Sequence, residues 1–327
     1  MSSLYVLLCL LSNNTFVRPQ TFFVTGFSDM PYSDYYYIFL LFIYILTVLA
    51  NSLIILLIYV EESLHSPKYV AVVHLAIVDI FASSAVVPKI IHTFLFDAQV
   101  ITYEACLSNM FFSHFFAAME SFSLIVLAYD RFVAICFPLR YHIIVSHTKM
   151  LKILGMTWFL AFIIVGILVA LITRLSFCKS TVVTSYFCDH GPVYHLACND
   201  TYPNFIMARI FITSVFFAPL TLIVCSYAAI LNAVLKIASA EGRRKAMLTC
   251  TSHLILVAIF YIPISGTYIA SMISGIHQNA RIFNNSLSAT IPALLNPIIY
   301  TLKTEEILNA VKMRYKRRTA ELDTMNH

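Results

Sequence analysis

The chain has 327 residues, of which 60% are hydrophobic and 11% are charged, and its formal net charge is +5. Soluble domains are about 45–50% apolar and about 25% charged, so this composition excludes a water-soluble globular protein and a disordered chain. The basic residues lie in short segments between long apolar stretches, which is typical of membrane topology and not of nucleic-acid binding.

The N-terminal segment, residues 1–34, contains an apolar run from Leu4 to Leu11 with no Lys or Arg before it. A spanning helix needs about 20 apolar residues, and a cleavable signal peptide begins with positive charge. The run fits neither pattern. We therefore expect residues 1–34 to form an outer segment, and the first spanning helix to direct the chain to the membrane.

Long apolar stretches then follow in chain order and predict an all-α membrane protein, a seven-transmembrane helix bundle. Two of the stretches carry one acid each inside an apolar core, Asp79 in the second and Glu120 in the third. The predicted helices cover residues 35–60, 68–91, 102–134, 149–173, 203–236, 243–273 and 282–302.

The basic residues orient this bundle, because cytoplasmic loops carry an excess of Lys and Arg. The basic segments follow the first, third and fifth predicted helices and the last one, so that side is predicted to be cytoplasmic. The residues are Lys68, Arg140, Lys149, Lys152, Lys236, Arg243, Arg244, Lys245 and the basic residues of the tail. The prediction is a multi-pass plasma-membrane protein with its N-terminus outside and its C-terminus inside.

Two features of the opposite side agree with this orientation. The glycosylation sequons at Asn13, Asn199 and Asn284 all fall outside, and all three are predicted glycosylation sites. Four of the eight cysteines also fall outside, where disulfides form. They are Cys106, Cys178, Cys188 and Cys198. Four cysteines allow three pairings, and their spacing does not choose among them.

After the last span, residues 303–327 are predicted to be cytoplasmic. Between Lys303 and Arg318, Ile307, Leu308 and Val311 have helical spacing among basic residues, which predicts a short amphipathic helix on the inner leaflet. The alternative is a solvated basic tail.

Other classes of membrane protein lack support in the sequence. The chain contains no HExxH metal motif, no GxSxG nucleophile elbow and no phosphate-binding glycine loop, so we do not expect an enzyme. A transporter typically shows internal repeats and charged residues at matching midplane positions. The two halves of this chain show no such symmetry.

Short motifs in the spans indicate a receptor. Their order resembles that of rhodopsin-like G-protein-coupled receptors, and three longer runs resemble the odorant receptors within that superfamily. The short motifs are Asn51, LAIVD at 75–79, DRF at 130–132, Trp158, Pro219, Tyr227 and NPIIY at 296–300. The longer runs are AYDRFVAICFPLRY at 128–141, KAMLTCTSHL at 245–254 and PALLNPIIY at 292–300.

The resemblance implies a receptor that binds a small molecule in the outer half of the bundle. It also implies activation of a stimulatory, olfactory-type heterotrimeric G protein, which raises cyclic AMP. A rhodopsin-like receptor for a non-odorant ligand stays open as an alternative, and a transporter is the alternative from another class.

The outer features implied by the resemblance are a lid and a pocket. Cys106 is expected to pair with Cys188 and Cys178 with Cys198, which holds the second outer loop over the bundle. The pocket is expected to be mostly apolar with a few polar anchors. Its expected residues are Asn109, Met110, Ser113, His114, Ala117, His190, Gly191, Phe211, Ser214, Tyr261, Ile264, Ser265 and Tyr268.

His114 has two interpretations. A lone helix histidine is usually a satisfied core residue, but a histidine at this position is typical of the fish-like class I odorant receptors, some of which recognise carboxylic acids. The basic partner expected near the outer end of the sixth helix is replaced by Met272, which weighs against an acidic ligand. Ser113 stands where amine receptors carry an aspartate, which weighs against an amine.

On the inner side, the resemblance implies that Asp130 holds Arg131 at rest and releases it toward the G protein when the sixth helix swings outward. The alternative is interfacial anchoring by a charged pair. In many such receptors an acid on the sixth helix restrains the arginine, whereas this chain has basic residues there. The expected coupling and activation residues are Asp130, Arg131, Tyr227, Arg243, Lys245, Pro263, Asn296, Pro297 and Tyr300.

Asp79 and Glu120 lie at mid-bilayer depth, where an ionised side chain costs about 2.5–3.5 kcal/mol on insertion scales. One interpretation is a shared cation site, with sodium as an allosteric ion and Asn51, Ser123 and Asn296 nearby by resemblance. The other is that the acids are protonated and hydrogen-bonded between helices. No other cofactor is expected.

Overall fold

The computed structural model describes residues 17–27, 30–272, 277–303 and 307. These residues contain seven long helices, which confirms the predicted seven-helix bundle. The helices are α1 (Ser33–Val60), α2 (Pro67–Leu95), α3 (Tyr103–Cys136), α4 (His147–Ala170), α5 (Tyr202–Leu235), α6 (Ala240–Met272) and α7 (Gln278–Lys303). The predicted amphipathic helix of the tail and the sequon at Asn13 lie outside the described residues.

Within the described ranges, α1 to α6 are each long and apolar enough to cross a membrane on hydropathy alone. The remaining helix, α7, has 26 residues. At 1.5 Å per residue it extends about 39 Å, which exceeds a hydrocarbon core of about 30 Å. Its polar side chains Ser286, Thr290 and Asn296 are buried against the other helices, so its polarity faces the bundle and not the lipid.

The largest differences from the predicted helix boundaries lie at the outer ends. α7 begins at Gln278, whereas the charge-free stretch begins at residue 282, and α2 continues to Leu95, beyond the predicted end at residue 91. The first turn of α7 contains Arg281, whose guanidinium Nη2 donates to the backbone oxygen of Thr184 at 2.8 Å. The charge-free stretch begins only after this arginine, whereas α7 begins before it.

Polar side chains tie the helices together inside the apolar core. Trp158 of α4 donates through Nε1 to His74 Nε2 at 2.8 Å, and the Ser123 hydroxyl of α3 lies 3.2 Å from His74 Nδ1. Asn51 of α1 donates to the backbone oxygen of Ala293 in α7 at 3.0 Å. Such contacts provide hydrogen-bond partners for polar groups that would be unpaired in lipid. They also fix the relative positions of neighbouring helices.

Above the bundle lies a small sheet of three strands, β1 (Thr21–Val24), β2 (Val100–Thr102) and β3 (Val182–Val183), in the order β2-β1-β3. β1 pairs antiparallel with β2 and parallel with β3. β3 belongs to the loop between α4 and α5, residues 175–201, which we call the lid. The sheet thus connects the N-terminal segment to the lid.

Two disulfides attach the lid. Cys106, in the first turn of α3, pairs with Cys188, and Cys178 pairs with Cys198 within the lid, with Cα–Cα distances of 5.4 and 5.7 Å. These are the two pairings that the resemblance implies. The first fixes the centre of the lid to α3, and the second closes a loop inside it.

Candidate ligand pocket and inner signalling site

A cavity of about 630 Å³ lies beneath the lid, in the outer half of the bundle. Pockets for small ligands typically occupy about 300–1,000 Å³, so the volume suits a molecule of modest size. α3 contributes Ser113, His114, Ala117 and Glu120, at spacings that place them on one face of the helix. The other helices contribute mainly apolar residues, among them Val86, Phe211, Phe216, Phe260 and Ile264.

The structure divides the predicted pocket residues into two groups. Seven of them line the cavity: Ser113, His114, Ala117, His190, Gly191, Phe211 and Ile264. Five others are not among the described residues that line it: Asn109, Met110, Ser214, Tyr261 and Ser265. The side chain of Tyr268 lies outside the described residues.

Asn109 and Met110 are not among the residues that line the cavity, because the lid packs against α3 at their level. Asn109 donates to the backbone oxygen of Ala85 at 3.1 Å and accepts from the backbone N–H of Cys188 at 3.2 Å, so it braces the lid against α2. Met110 is fully buried in the outer apolar core.

Ser214 and Tyr261 also have partners away from the cavity. The Ser214 hydroxyl donates to the backbone oxygen of Ile210 at 2.7 Å, within its own helix. The Tyr261 hydroxyl lies 2.7 Å from the hydroxyl of Ser121, which links α6 to α3. We therefore expect mutations at Tyr261 to alter the packing of α3 against α6.

Charged residues at the top of the cavity escaped the sequence prediction. Asp189 Oδ1 lies 3.5 Å from His114 Nε2, while His114 Nδ1 lies 2.8 Å from the backbone oxygen of Met110. Burial raises the pKa of Asp189, but the hydrogen bond from His114 and the positive charges of His114 and Arg281 outweigh it and lower that pKa overall. The carboxylate therefore joins the lid to α3 by an ionic hydrogen bond when His114 is protonated. Asp189 directly follows Cys188, and this adjacency is the signal that identifies it.

Three residues that line the same cavity each contain a buried polar atom with no hydrogen-bond partner among the described residues. The atoms are Ser113 Oγ, Glu120 Oε1 and His190 Nε2. Burial, and secondarily the charge of His114, lowers the pKa of His190 to about 4, so its ring is neutral at pH 7. The cavity thus combines apolar walls with a few unpaired polar groups.

The two membrane acids have different surroundings. Both carboxylate oxygens of Asp79 accept from Asn296 Nδ2, at 3.1 and 2.9 Å, whereas Glu120 faces the cavity. Asn51 and Ser123, expected beside a shared cation, direct their side chains to the backbone of α7 and to His74. Among the residues that the structure describes, no group of three or more His, Cys, Asp or Glu is arranged to hold a metal.

At the inner end of α3, Asp130 is buried and has two partners. Its Oδ2 lies 3.9 Å from Arg131 Nε, and its Oδ1 accepts a hydrogen bond of 2.7 Å from the hydroxyl of Tyr141. Tyr141 belongs to a one-turn helix, Tyr141–Ile144, after α3. The sequence prediction assigned Tyr141 no role, although it ends the run that carries the resemblance.

A second inner contact joins three helices through His253 of α6. Its Nδ1 lies 2.8 Å from the hydroxyl of Tyr227 in α5, and its Nε2 lies 3.0 Å from the backbone oxygen of Leu124 in α3. The hydroxyl of Tyr300 is buried without a partner among the described residues. His253 therefore joins α6 to α3 and α5 in the half of the bundle that contains Asp130.

The remaining predicted coupling residues are dispersed. Arg243 donates to the backbone oxygen of Ile237 at 3.1 Å, and the side chain of Lys245 lies outside the described residues. Pro263 and Pro297 lie inside α6 and α7, where each removes a backbone donor and favours a kink. The backbone oxygen of Pro297 accepts from the Thr301 hydroxyl at 2.7 Å.

The structure places the sequon residue Asn284 in a contact between two helices. This residue lies inside α7, and its Nδ2, the atom that would carry the glycan, donates to the backbone oxygen of Pro263 at 2.8 Å and to Thr267 Oγ1. Asn284 therefore connects α7 to α6. The Nδ2 of Asn199 also donates to a backbone oxygen, that of Arg174 at 3.0 Å, but Asn199 is exposed on the lid and is the accessible sequon of the described residues.

We expect Asn199→Gln to remove one glycan from the receptor, and Asn284→Gln to remove none. Gel mobility before and after treatment with an N-glycosidase measures the change. Since the sequon at Asn13 is intact in both variants, each retains any glycan attached there. A mass loss in Asn284→Gln would contradict the inward position of that side chain.

A seven-helix bundle with a lidded outer cavity and an Asp-Arg pair at the inner end of α3 has the architecture of a rhodopsin-like G-protein-coupled receptor. Comparison with known proteins gives a narrower result. A family model described as "Olfactory receptor" matches residues 40–317. Human olfactory receptor 8H1 is 38% identical over 310 residues, which cover 94% of this chain and 97% of that protein.

Other relatives agree. Human olfactory receptor 10A5 is 36% identical over 298 residues, covering 90% of this chain and 94% of that protein. Mouse olfactory receptor 4B13 is 36% identical over 301 residues, covering 91% and 97%. The chain belongs to the olfactory receptor family. It is therefore a multi-pass receptor of the plasma membrane and not an enzyme.

Proposed function

We propose that the chain binds small odorant molecules in the cavity beneath the lid and activates a stimulatory, olfactory-type G protein, which raises cyclic AMP. The observation that carries this proposal is the cavity of about 630 Å³, bounded by the lid and by α3, α5, α6 and α7. The lid side, with its disulfides and exposed sequon, faces outward, and the basic side faces the cytoplasm.

The residues suggest how binding reaches the inner side. A ligand that contacts Phe260 and Ile264 touches α6 a few turns above His253. His253 holds α6 to α3 and α5 through its two hydrogen bonds. Outward movement of α6 breaks this contact and opens the inner end of α3, where Arg131 becomes available to the G protein.

The test is to express the receptor with an olfactory-type stimulatory G protein and to measure cyclic AMP across chemically diverse odorants. We expect a saturable response to a subset of the odorants, and we expect His114→Ala to shift its potency, because His114 joins the cavity wall to the lid. Surface labelling and a receptor of known coupling serve as controls. Silence across the panel, with both controls intact, contradicts the proposal.

Asp79 and Glu120 are also proposed to share a sodium ion as an allosteric ligand. The support is that both are buried acids on adjacent helices. Buried acids need a counter-charge or a proton.

We expect sodium to lower agonist potency in the native receptor, and Glu120→Gln to abolish this dependence, since the amide removes one of the two charges. The measurement is agonist potency in sodium buffer and in a buffer of equal ionic strength with a large organic cation. His92→Phe, a change on the exposed outer part of α2, is the control. An unchanged sodium response in Glu120→Gln leaves the protonated, hydrogen-bonded state of these acids as the explanation.

A further inference from the structure

Three residues around the cavity, His190, Glu120 and Ser113, contain buried polar atoms without a hydrogen-bond partner among the described residues. His190 and Glu120 are only 3% and 5% exposed, and both line the cavity, as does Ser113. One such atom belongs to each of the three residues. Buried polar atoms are nearly always hydrogen-bonded in folded proteins. Three unpartnered polar atoms in residues around one cavity therefore indicate a ligand that supplies the missing hydrogen-bond partners.

His190 and Glu120 lie at opposite ends of the cavity. His190 belongs to the lid and follows Asp189, which contacts His114 at 3.5 Å. Glu120 lies on α3 six residues beyond His114. With a rise of 1.5 Å per residue, Glu120 is about 9 Å deeper along the helix. Ser113 lies near the upper end, and Ala117, Phe211 and Ile264 provide apolar wall between the two levels.

The chemistry of these groups favours an uncharged ligand with hydroxyl groups. The neutral ring of His190 offers a donor or an acceptor according to its tautomer, and a glutamate oxygen accepts or, when protonated, donates. A hydroxyl both donates and accepts, so it pairs with either form. The charged residues at the top of the cavity compensate one another, because the Asp189 carboxylate lies 3.5 Å from His114 and is also stabilised by the charge of Arg281.

We propose that this pocket selects elongated, neutral molecules with a hydroxyl group at each end, one bonded to His190 and the other to Glu120. The apolar middle of the molecule packs against Ala117, Phe211 and Ile264. This inference rests on the proposed pocket and specifies the class of its ligand. Water that fills the orphan sites is the competing explanation, and the test separates the two.

The probes are terminal diols from butanediol to decanediol, with the primary alcohols of the same chain lengths as matched controls. Ligand binding is measured as thermal stabilisation of the detergent-purified receptor, and signalling as cyclic AMP in cells. We expect the potency of the diols to rise and then fall with chain length, because only one length fits both anchors. The potency of the mono-alcohols should rise steadily as more apolar surface is buried.

At the optimal length, we expect the diol to exceed the mono-alcohol by about tenfold, the value of one good hydrogen bond to a buried polar group. His190→Phe keeps an aromatic ring and removes the nitrogen, and Glu120→Leu removes the oxygens. Each variant should erase most of this diol advantage. Glu120→Gln, which keeps a hydrogen-bonding group, should retain it. His92→Phe and Ser214→Ala, outside the cavity wall, are the control variants.

The ratio of diol to mono-alcohol potency is the decisive quantity. Folding defects and changes in sodium binding alter both potencies together and leave the ratio unchanged. Equal potency of the two series, a steady rise with diol length, or a ratio unaffected by His190→Phe would overturn the inference and favour water at the orphan atoms. If Glu120→Leu does not fold, His190→Phe alone decides.

The two readouts distinguish this inference from the proposed function. Stabilisation by diols without cyclic AMP supports the ligand class and contradicts the proposed coupling. Cyclic AMP responses confined to molecules with a single polar group support the proposed function and contradict the diol selectivity.

Discussion

Replacement of Cys106 or Cys188 by Ser should abolish the agonist response and strongly reduce the amount of receptor at the cell surface. The disulfide joins positions 82 residues apart, and a crosslink of this kind contributes about 2–4 kcal/mol to stability. Its loss also releases the lid residues Asp189 and His190, which directly follow Cys188 and line the cavity. Surface labelling and ligand-induced thermal stabilisation measure the two effects.

The other cysteines provide graded controls. Cys225→Ser changes an exposed free cysteine of α5, and we expect native surface levels and potency. Cys178→Ser opens a link across only 20 residues, so it should cost less stability than Cys106→Ser. A Cys106→Ser receptor with native ligand affinity would show that the hydrogen bonds and the small sheet hold the lid without the disulfide.

The membrane-spanning fold was predictable because hydropathy reports directly on what faces lipid. The start of α7 was harder to predict, since its polar residues face inward or toward the lid. Asn284, for example, has the sequence of an outer glycosylation site, yet it donates to the backbone oxygen of Pro263 in α6. A sequon is a local pattern and carries no information on whether its amide is accessible.

The pocket was predictable by helix face but not by depth. Residues Asn109, Met110, Ser113, His114 and Ala117 follow one another at spacings of one or three along α3. Only the last three line the cavity, because the lid packs against the first two. How deeply the lid packs along α3 depends on its disulfides and hydrogen bonds. The helical periodicity of the sequence contains no information on this depth.

For the same reason, residues held by the lid and by the end of α7 escaped prediction. Asp189 becomes a wall residue because the Cys106–Cys188 disulfide places it opposite His114. Arg281 was interpreted only as an outer charge, whereas its guanidinium binds the lid at Thr184 and lines the cavity. Both contacts join segments far apart in the sequence.

Arg131→Ala should reduce agonist-stimulated cyclic AMP to background while ligand binding is retained. Arg131 lies at the inner end of α3, far from the cavity wall, and its guanidinium is the group proposed to contact the G protein. Binding measured as thermal stabilisation should therefore change little. Loss of binding together with signalling would show that Arg131 supports the fold and not coupling alone.

Tyr141→Phe is the more sensitive test of the same site, because it removes a single oxygen. The Tyr141 hydroxyl donates to Asp130 Oδ1 at 2.7 Å, while Arg131 Nε lies 3.9 Å from Oδ2. The Tyr141 hydroxyl therefore competes with Arg131 for the buried carboxylate of Asp130. Without this hydrogen bond, the carboxylate would restrain Arg131 more strongly. In Tyr141→Phe, Asp130 should bind Arg131 more closely, and agonist potency should fall by about three- to tenfold, which is less than the full value of one charge-assisted hydrogen bond.

The neighbouring His142→Phe is the matched control, since His142 lies on the same one-turn helix and is exposed. It should leave potency unchanged. Raised basal cyclic AMP in Tyr141→Phe would reverse the assignment, because Tyr141 would then stabilise the resting state together with Asp130. The direction of the change in Tyr141→Phe therefore decides whether this tyrosine favours release of Arg131 or its restraint.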